Sequence, residues 1–302
     1  MSRSGSATIA RRLRRMLLGL LLAAVVCGDA AALPTGQETW PPFPTTPHAS
    51  PPDDVLVTAH TVAAVDALVA SLTRADSGMQ VARWKREICP KVLGLTPKQS
   101  EFVTTDIAKA ARIAGLSVPR RWCRGNVVVV VTNDADGFAT TLVRRHPALF
   151  RDPSEGLAPR REREAIARSD APVRWIVASQ TQGIGGSASR LQLNSVEVLQ
   201  TAISIVDATR LAGITWQQLS DYLALASLTH ARMDVSYGPN TILSLFQANA
   251  AGRTAPPGMT ALDKAFLKSL YTSNAALTAD AQRLNIRTAI ERKLRDAAPD
   301  AP

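Results

Sequence analysis

The chain has 302 residues, 46% of them hydrophobic and 20% charged, with a formal net charge of +10. That apolar fraction excludes a wholly disordered chain, and 17 glycines and 19 prolines exclude a collagen-like fibre. A single apolar run near the N-terminus could engage a bilayer, which excludes a multi-span membrane protein.

That run has the layout of a secretory signal peptide. Arg3, Arg11, Arg12, Arg14 and Arg15 form a positive segment without acids, and the 11 residues from Met16 to Val26 are apolar. Gly28, Ala30, Ala31 and Ala32 then offer a small-residue cleavage pattern before Leu33. The run is well short of the roughly 20 residues that span a bilayer. Lipidation of Cys27 would need a small residue before it, and Val26 stands there. The arginine pairs leave both general and twin-arginine export open. Cleavage near Ala32 removes five arginines and Asp29, so the net charge falls from +10 to +6. The remaining excess is scattered. Its densest group, Arg160, Arg161 and Arg163, alternates with Glu162 and Glu164, and aromatics make up 5% of the chain. A nucleic-acid binder would concentrate its basic residues among aromatics, so no nucleic-acid partner is expected.

Cys27 leaves with the signal. Cys89 and Cys123 remain, and in an oxidising compartment two cysteines pair. Their bridge would close a loop of about 34 residues, stabilising the fold by about 3–4 kcal/mol through lost unfolded-state entropy. No C-x-x-C redox motif accompanies them.

Residues 33–54 carry Pro34, Pro41, Pro42, Pro44, Pro47, Pro51 and Pro52 and read as a disordered tether. Residues 55–296 read as one disulfide-bonded α+β domain, followed by a short disordered tail at 297–302. Val55 to Val57 is a short strand candidate. Val62, Val65, Leu68, Val69 and Leu72 have helical spacing from Thr61 onward. Thr96-Pro97-Lys98-Gln99 is a helix start: Thr96 caps, Pro97 suits the first turn, and Gln99 completes a capping box. Its apolar face continues through Phe102, Val103, Ala110, Ala111 and Ala114 to a stop at Gly115. Val127 to Val131 is a strand buried on both faces, at the centre of a helix-covered sheet. Further strands are expected over 173–179 and 189–206, joined through the glycines of 183–186. The last third reads as helical, with starts at Thr215 (through about Arg232) and Thr260. A last helix carries Ile286, Ala289, Ile290 and Leu294. The expected class is therefore α+β, with a central sheet holding a buried Val-rich strand and a helix-rich C-terminal third.

Catalytic signatures are absent from the sequence. There is no H-E-x-x-H, G-x-S-x-G, S-x-x-K or P-loop. Asp76-Ser77-Gly78 occurs once, among turn-forming residues. His230 and Asp234, four apart, could share a helix face, but two ligands do not make a catalytic metal site. No catalytic, cofactor-binding or metal-ligating set is assigned. Asp207, Asp221, Tyr222 and His230 are the candidate functional polar cluster, on the premise that they converge.

Several segments together resemble a family of uncharacterised exported proteins from alphaproteobacteria. They are Ile88-Cys89-Pro90 with Gly94, Cys123-x-x-Asn126 leading into a β run with Thr132, Ser189-Arg190-Leu191, Val206-Asp207, Leu219-x-Asp221-Tyr222, and Leu262-Asp263-x-x-Phe266-Leu267-x-x-Leu270-Tyr271. The resemblance spans about residues 55–294. The late helices are also faintly similar to those of secreted zinc-peptidase-like proteins of unknown function. Their catalytic helix would correspond to Leu219–His230, where this chain has no metal ligands. The resemblance implies a metal-free exported protein with no established activity or transferable catalytic residues. The reading of the whole chain is a non-catalytic binding or structural domain whose partner is another envelope component. A degenerate hydrolase is the alternative.

The protein isolated from the cell envelope should begin near Leu33 on N-terminal sequencing. An intact Met1 would refute cleavage.

Overall fold

A computed structural model describes residues 62–75, 80–119, 123–147, 151–152, 156–157, 160–186, 188–189 and 192–297. The signal, the tether, the Val55 strand candidate, the Asp76 turn and the tail beyond residue 297 lie outside these residues. The described elements are α1 (Val62–Leu72), β1 (Arg83–Trp84), β2 (Pro90–Leu93), α2 (Pro97–Ile113), β3 (Val127–Thr132), α3 (Ala135–Arg145), β4 (Arg151–Asp152), β5 (Gly156–Leu157), α4 (Arg160–Arg168), β6 (Val173–Gly183), β7 (Ser195–Asp207), α5 (Trp216–Leu228), α6 (Leu245–Ala250), α7 (Ala261–Thr272) and α8 (Ala279–Ala297). The protein is α+β with a central, mainly parallel sheet.

β7 is the spine of that sheet. β6 runs antiparallel along one edge from Val173–Val206 to Gly183–Ser195, with a bulge at Ala178/Ser179. The other edge is shared end to end by β1, at Val198 and Leu199, and β3, from Ala202 to Asp207, both parallel to β7. β2 lies parallel to β3 on its far side. Val127 to Val131 are all buried. Successive side chains of a strand face opposite ways, so this burial requires cover on both sides of the sheet.

The unit β2–α2–β3 shows how the sequence dictates the layout. Parallel neighbours need a crossover, and α2 provides it. Its capping box forms as expected: Gln99 N–H donates to Thr96 Oγ1 at 3.4 Å, and Thr96 N–H to Gln99 Oε1 at 3.0 Å. Cys89, just before β2, is bonded to Cys123, just before β3, with Cα atoms 5.9 Å apart. The bridge thus ties together the starts of two paired strands, with the whole crossover helix inside its loop. Asn126 reinforces the same point. Its Oδ1 accepts from Cys89 N–H at 2.7 Å, and its Nδ2 donates to Glu87 O at 2.8 Å. At the other end of β2, Gly94 has φ +86, and a Cβ there would lie 1.9 Å from Val131 O, so only glycine fits.

The β6–β7 hairpin turns through Gly185 and Gly186, both at positive φ. β7 begins at Ser195 rather than at Ser189. Before it, Ser189 N–H bonds to Gln192 O, and Leu193 N–H to Ala276 O. Thr215 and Thr260 head helices with capping boxes, closed by Gln218 and Asp263. α3 escaped the sequence reading, although Asp134 caps it by accepting Gly137 N–H at 2.8 Å. It packs against β3 and β7, and α4 packs against α3 and β6.

Removing the bridge with Cys123→Ser should cost about 2–5 kcal/mol in a denaturant titration. An unchanged midpoint would show that the bridge adds nothing to the hold of Asn126 and the β2–β3 ladder.

Candidate functional site

The candidate residues centre on α5. Ten of its 13 residues are buried, including Leu219 and the whole run from Tyr222 to Leu228. Its narrow outer face holds Gln217, which is exposed, and Gln218 and Asp221, which are half-buried. A carboxylate half-buried there needs hydrogen-bond donors.

Asp221 meets the approach to α7. Its Oδ2 accepts Met259 N–H at 2.6 Å, one residue before the Thr260 cap. The contact is so close that a Cβ on Gly258 would lie 2.6 Å from the same oxygen. Burial raises the pKa of Asp221. The bonds from Met259 and Gln217 oppose that, the charge of Asp106 adds to it, and Lys264 opposes it. Tyr222, the next residue, faces elsewhere. Its ring stands edge-on to Trp175 of β6 at 5.9 Å and to Phe246 of α6 at 5.0 Å. Burial pushes its phenol above the ordinary tyrosine range.

Asp207 ends β7, paired with Thr132, and accepts from Thr209 N–H at 3.0 Å and Thr209 Oγ1 at 2.6 Å, capping a 3-10 turn. His230 lies beyond the helix. α5 stops at Leu228 and not near Arg232, because Thr229 turns to extended backbone while its Oγ1 bonds back to Leu225 O at 2.7 Å. His230 O accepts Arg74 N–H at 3.2 Å, next to a parallel bridge with Thr73. Burial, helped by the charge of Arg74, lowers its imidazole to about 4. Asp234 does not share a helix face with it and pairs instead with Arg232 at 2.9 Å. The four candidates thus engage four different parts of the fold. Asp221 and Tyr222 are brought together only as chain neighbours. Among the described residues, no three histidines, cysteines or carboxylates are grouped to hold a metal.

The structure adds charged groups that sequence reasoning missed. Asp106 of α2 is buried, with Oδ1 2.7 Å from Lys109 Nζ, and its charge reaches Asp221. Its signal was an acid within the Val103–Ala110 apolar stripe. Arg83 is also buried. It donates through Nη1 to Leu270 O and Ser273 O, both at 2.7 Å, and through Nη2 to Gln282 Oε1 at 2.8 Å. These carbonyls end α7, so the cation sits at the negative end of the helix. Burial still lowers it to about 10. Arg174 of β6 is covered and pairs with the exposed Asp136 of α3. Asp263 is fully buried, and its Oδ2 accepts Thr260 N–H at 3.0 Å and Ile242 N–H at 2.9 Å. One carboxylate thus starts its own helix and anchors a second turn. Burial, only partly offset by these bonds, raises it to about 6.

Comparison with protein-family models, curated proteins and solved structures finds no match for this chain. The assignment therefore rests on the chemistry above.

Asp263 and His230 give opposite pH dependences. Asp263 holds its proton more tightly folded than unfolded, so its stabilisation is greatest below pH 4 and falls by about 3 kcal/mol as pH rises through 6. His230 resists protonation in the fold, so its stabilisation is present above about 6.5 and is lost as pH falls toward 4. Asp263→Asn removes the first slope and leaves the second unopposed. Its stability, measured by urea titration from pH 7 to 4, should fall relative to wild type. Parallel curves would contradict the raised carboxyl.

Proposed function

We propose that this protein is an exported, non-catalytic binding domain of the bacterial cell envelope, reaching the periplasm or the exterior after cleavage near Ala32. In this reading it is a metal-free relative of the exported and zinc-peptidase-like proteins that its motifs resemble. One observation carries the proposal: Asp221 and Tyr222, on the helix that would bear a peptidase's ligands, are engaged in holding the fold. Asp221 secures the start of α7, and Tyr222 is packed between Trp175 and Phe246. The Cys89–Cys123 bridge is compatible with export, and among the described residues no helix is long and apolar enough to cross a membrane. The recognised partner is another envelope component, bound by the surface and not within the core.

An unconventional hydrolase is the second reading. The carboxyl of Asp221 favours it, because burial and the nearby charge of Asp106 raise its pKa, as suits a general acid.

Excess zinc should leave the melting temperature unchanged, whereas a metal bound only by the folded state at 100 times its Kd would add about 2.7 kcal/mol. A reproducible zinc-dependent rise would overturn the metal-free reading. Hydrolysis of a peptide or ester panel that disappears in both Asp106→Asn and Asp221→Asn would establish the second reading instead.

A further inference from the structure

The two edges of the central sheet are built differently. β2, at one edge, has 4 residues, opens on Pro90 and exposes Lys91, which are devices that keep an edge strand from pairing with another chain. β6, at the other edge, has 11 residues and carries neither device. Its one charge, Arg174, is buried, and no residue from Trp175 to Ser189 is charged in a chain that is 20% charged. Val173 to Val177 are buried, the strand emerges at the bulge, and Gln182 and Gly183 are exposed.

The register identifies the backbone groups that β6 leaves over. Ile184 N–H donates to Asn194 O at 2.9 Å across the hairpin. Successive residues of a strand direct their backbone groups to opposite sides. Gln182 and Gln180 therefore bond to β7, while Ser179, Thr181 and Gly183 present N–H and C=O outward. Among the described residues, no hydrogen bond reaches these outward groups.

The outward segment is complementary to itself. An antiparallel copy placed on a two-fold axis at Thr181 sets Thr181 opposite Thr181, Ser179 opposite Gly183, and Gln180 opposite Gln182. The outward N–H and C=O groups then exchange about six hydrogen bonds. Threonine meets threonine, amide meets amide, and no like charges face each other. Within the described fold the amides of Gln180 and Gln182 make no hydrogen bond, so they are free for this pairing.

We propose that the β6 edge from Ser179 to Gly183 is a homodimer interface, across which a second copy of this chain continues the sheet. The proposal stands on strand geometry and is independent of the envelope reading. Residues 33–54 of the chain itself fit the edge less well, because seven prolines there supply no N–H. So short a pairing is small for a permanent interface, and the dimer is a reversible one.

The test is sedimentation velocity of the purified, disulfide-bonded protein from micromolar to near-millimolar concentration. A dimer that grows with concentration is expected. Q180E/Q182E sets carboxylates opposite each other across the two-fold and should weaken the dimer at least about tenfold. Q180K/Q182E sets unlike charges opposite each other in the same register and should dimerise at least as well as wild type. Gly183→Pro removes an outward N–H that β7 does not use, at a position where an added Cβ meets nothing within 4 Å. It should fold and dimerise more weakly, whereas Lys91→Glu, at the β2 edge, should dimerise as wild type does. A monomer at every concentration overturns the proposal, including the case in which the edge serves only a different protein. A dimer that Q180E/Q182E leaves intact, or that Q180K/Q182E fails to form, also overturns it. If Gly183→Pro does not fold, the two glutamine variants decide alone.

Discussion

The last carbonyls of α5 lie inside the protein, where water cannot reach them. A helix always leaves its final carbonyls without partners in the helix itself, and burying them unsatisfied is costly. Here they are met from distant parts of the chain. Trp84 Nε1 donates to Ser227 O at 2.9 Å, and Tyr271 donates its hydroxyl proton to Leu228 O at 2.5 Å. Trp175 Nε1 reaches the next segment at Ala231 O, 3.2 Å away. One helix end therefore ties together β1, β6 and α7, elements drawn from nearly 190 residues of sequence.

The same constraint shapes the charged interior. Arg83 follows two buried apolar residues, so its guanidinium is carried inward with the strand, and it is satisfied by the end of α7 and by Gln282. Gln282 in turn accepts Val81 N–H at 3.2 Å and donates to Ala275 O and Leu277 O. This single amide joins β1, the α7–α8 connection and α8. A lone buried cation is tolerated because it faces carbonyl dipoles and not because a carboxylate balances it. Asp263 and Asp221 play the reciprocal part at helix starts, where backbone N–H groups need acceptors. Charges placed in this way favour one arrangement of the helices, since shifting any helix strands a buried donor or acceptor.

For function, the consequence is a division of labour between interior and surface. Polar groups that a sequence scan would nominate as catalytic, above all Asp221 and Tyr222, work as clamps and packing. On the envelope-binding proposal, recognition is left to side chains that the fold does not consume. The acid pair Asp106 and Asp221 is where the alternative reading would begin.

Much of the architecture could be read from the sequence because it depends on local chemistry. The boxes at Thr96, Thr215 and Thr260 act within four residues, so each helix start is encoded where it occurs. Five consecutive valines declare a strand covered on both faces, and two cysteines left after the expected signal point to their bridge. β1 and β2 were missed because strands of two and four residues carry too little pattern. α5 was drawn too long because its end is set by Thr229 together with Trp84 and Tyr271, which arrive from other segments. The candidate cluster had the same limit. Residue types showed that Asp207, Asp221, Tyr222 and His230 were unusual in their surroundings, but whether they converge depends on where β6, α6, α7 and the Thr73 segment are packed. Composition and short-range pattern thus determined the class, the helix starts and the disulfide. Only the tertiary structure decided the role of each buried polar group, because a hydrogen bond across 40 to 200 residues leaves no periodic trace in the chain.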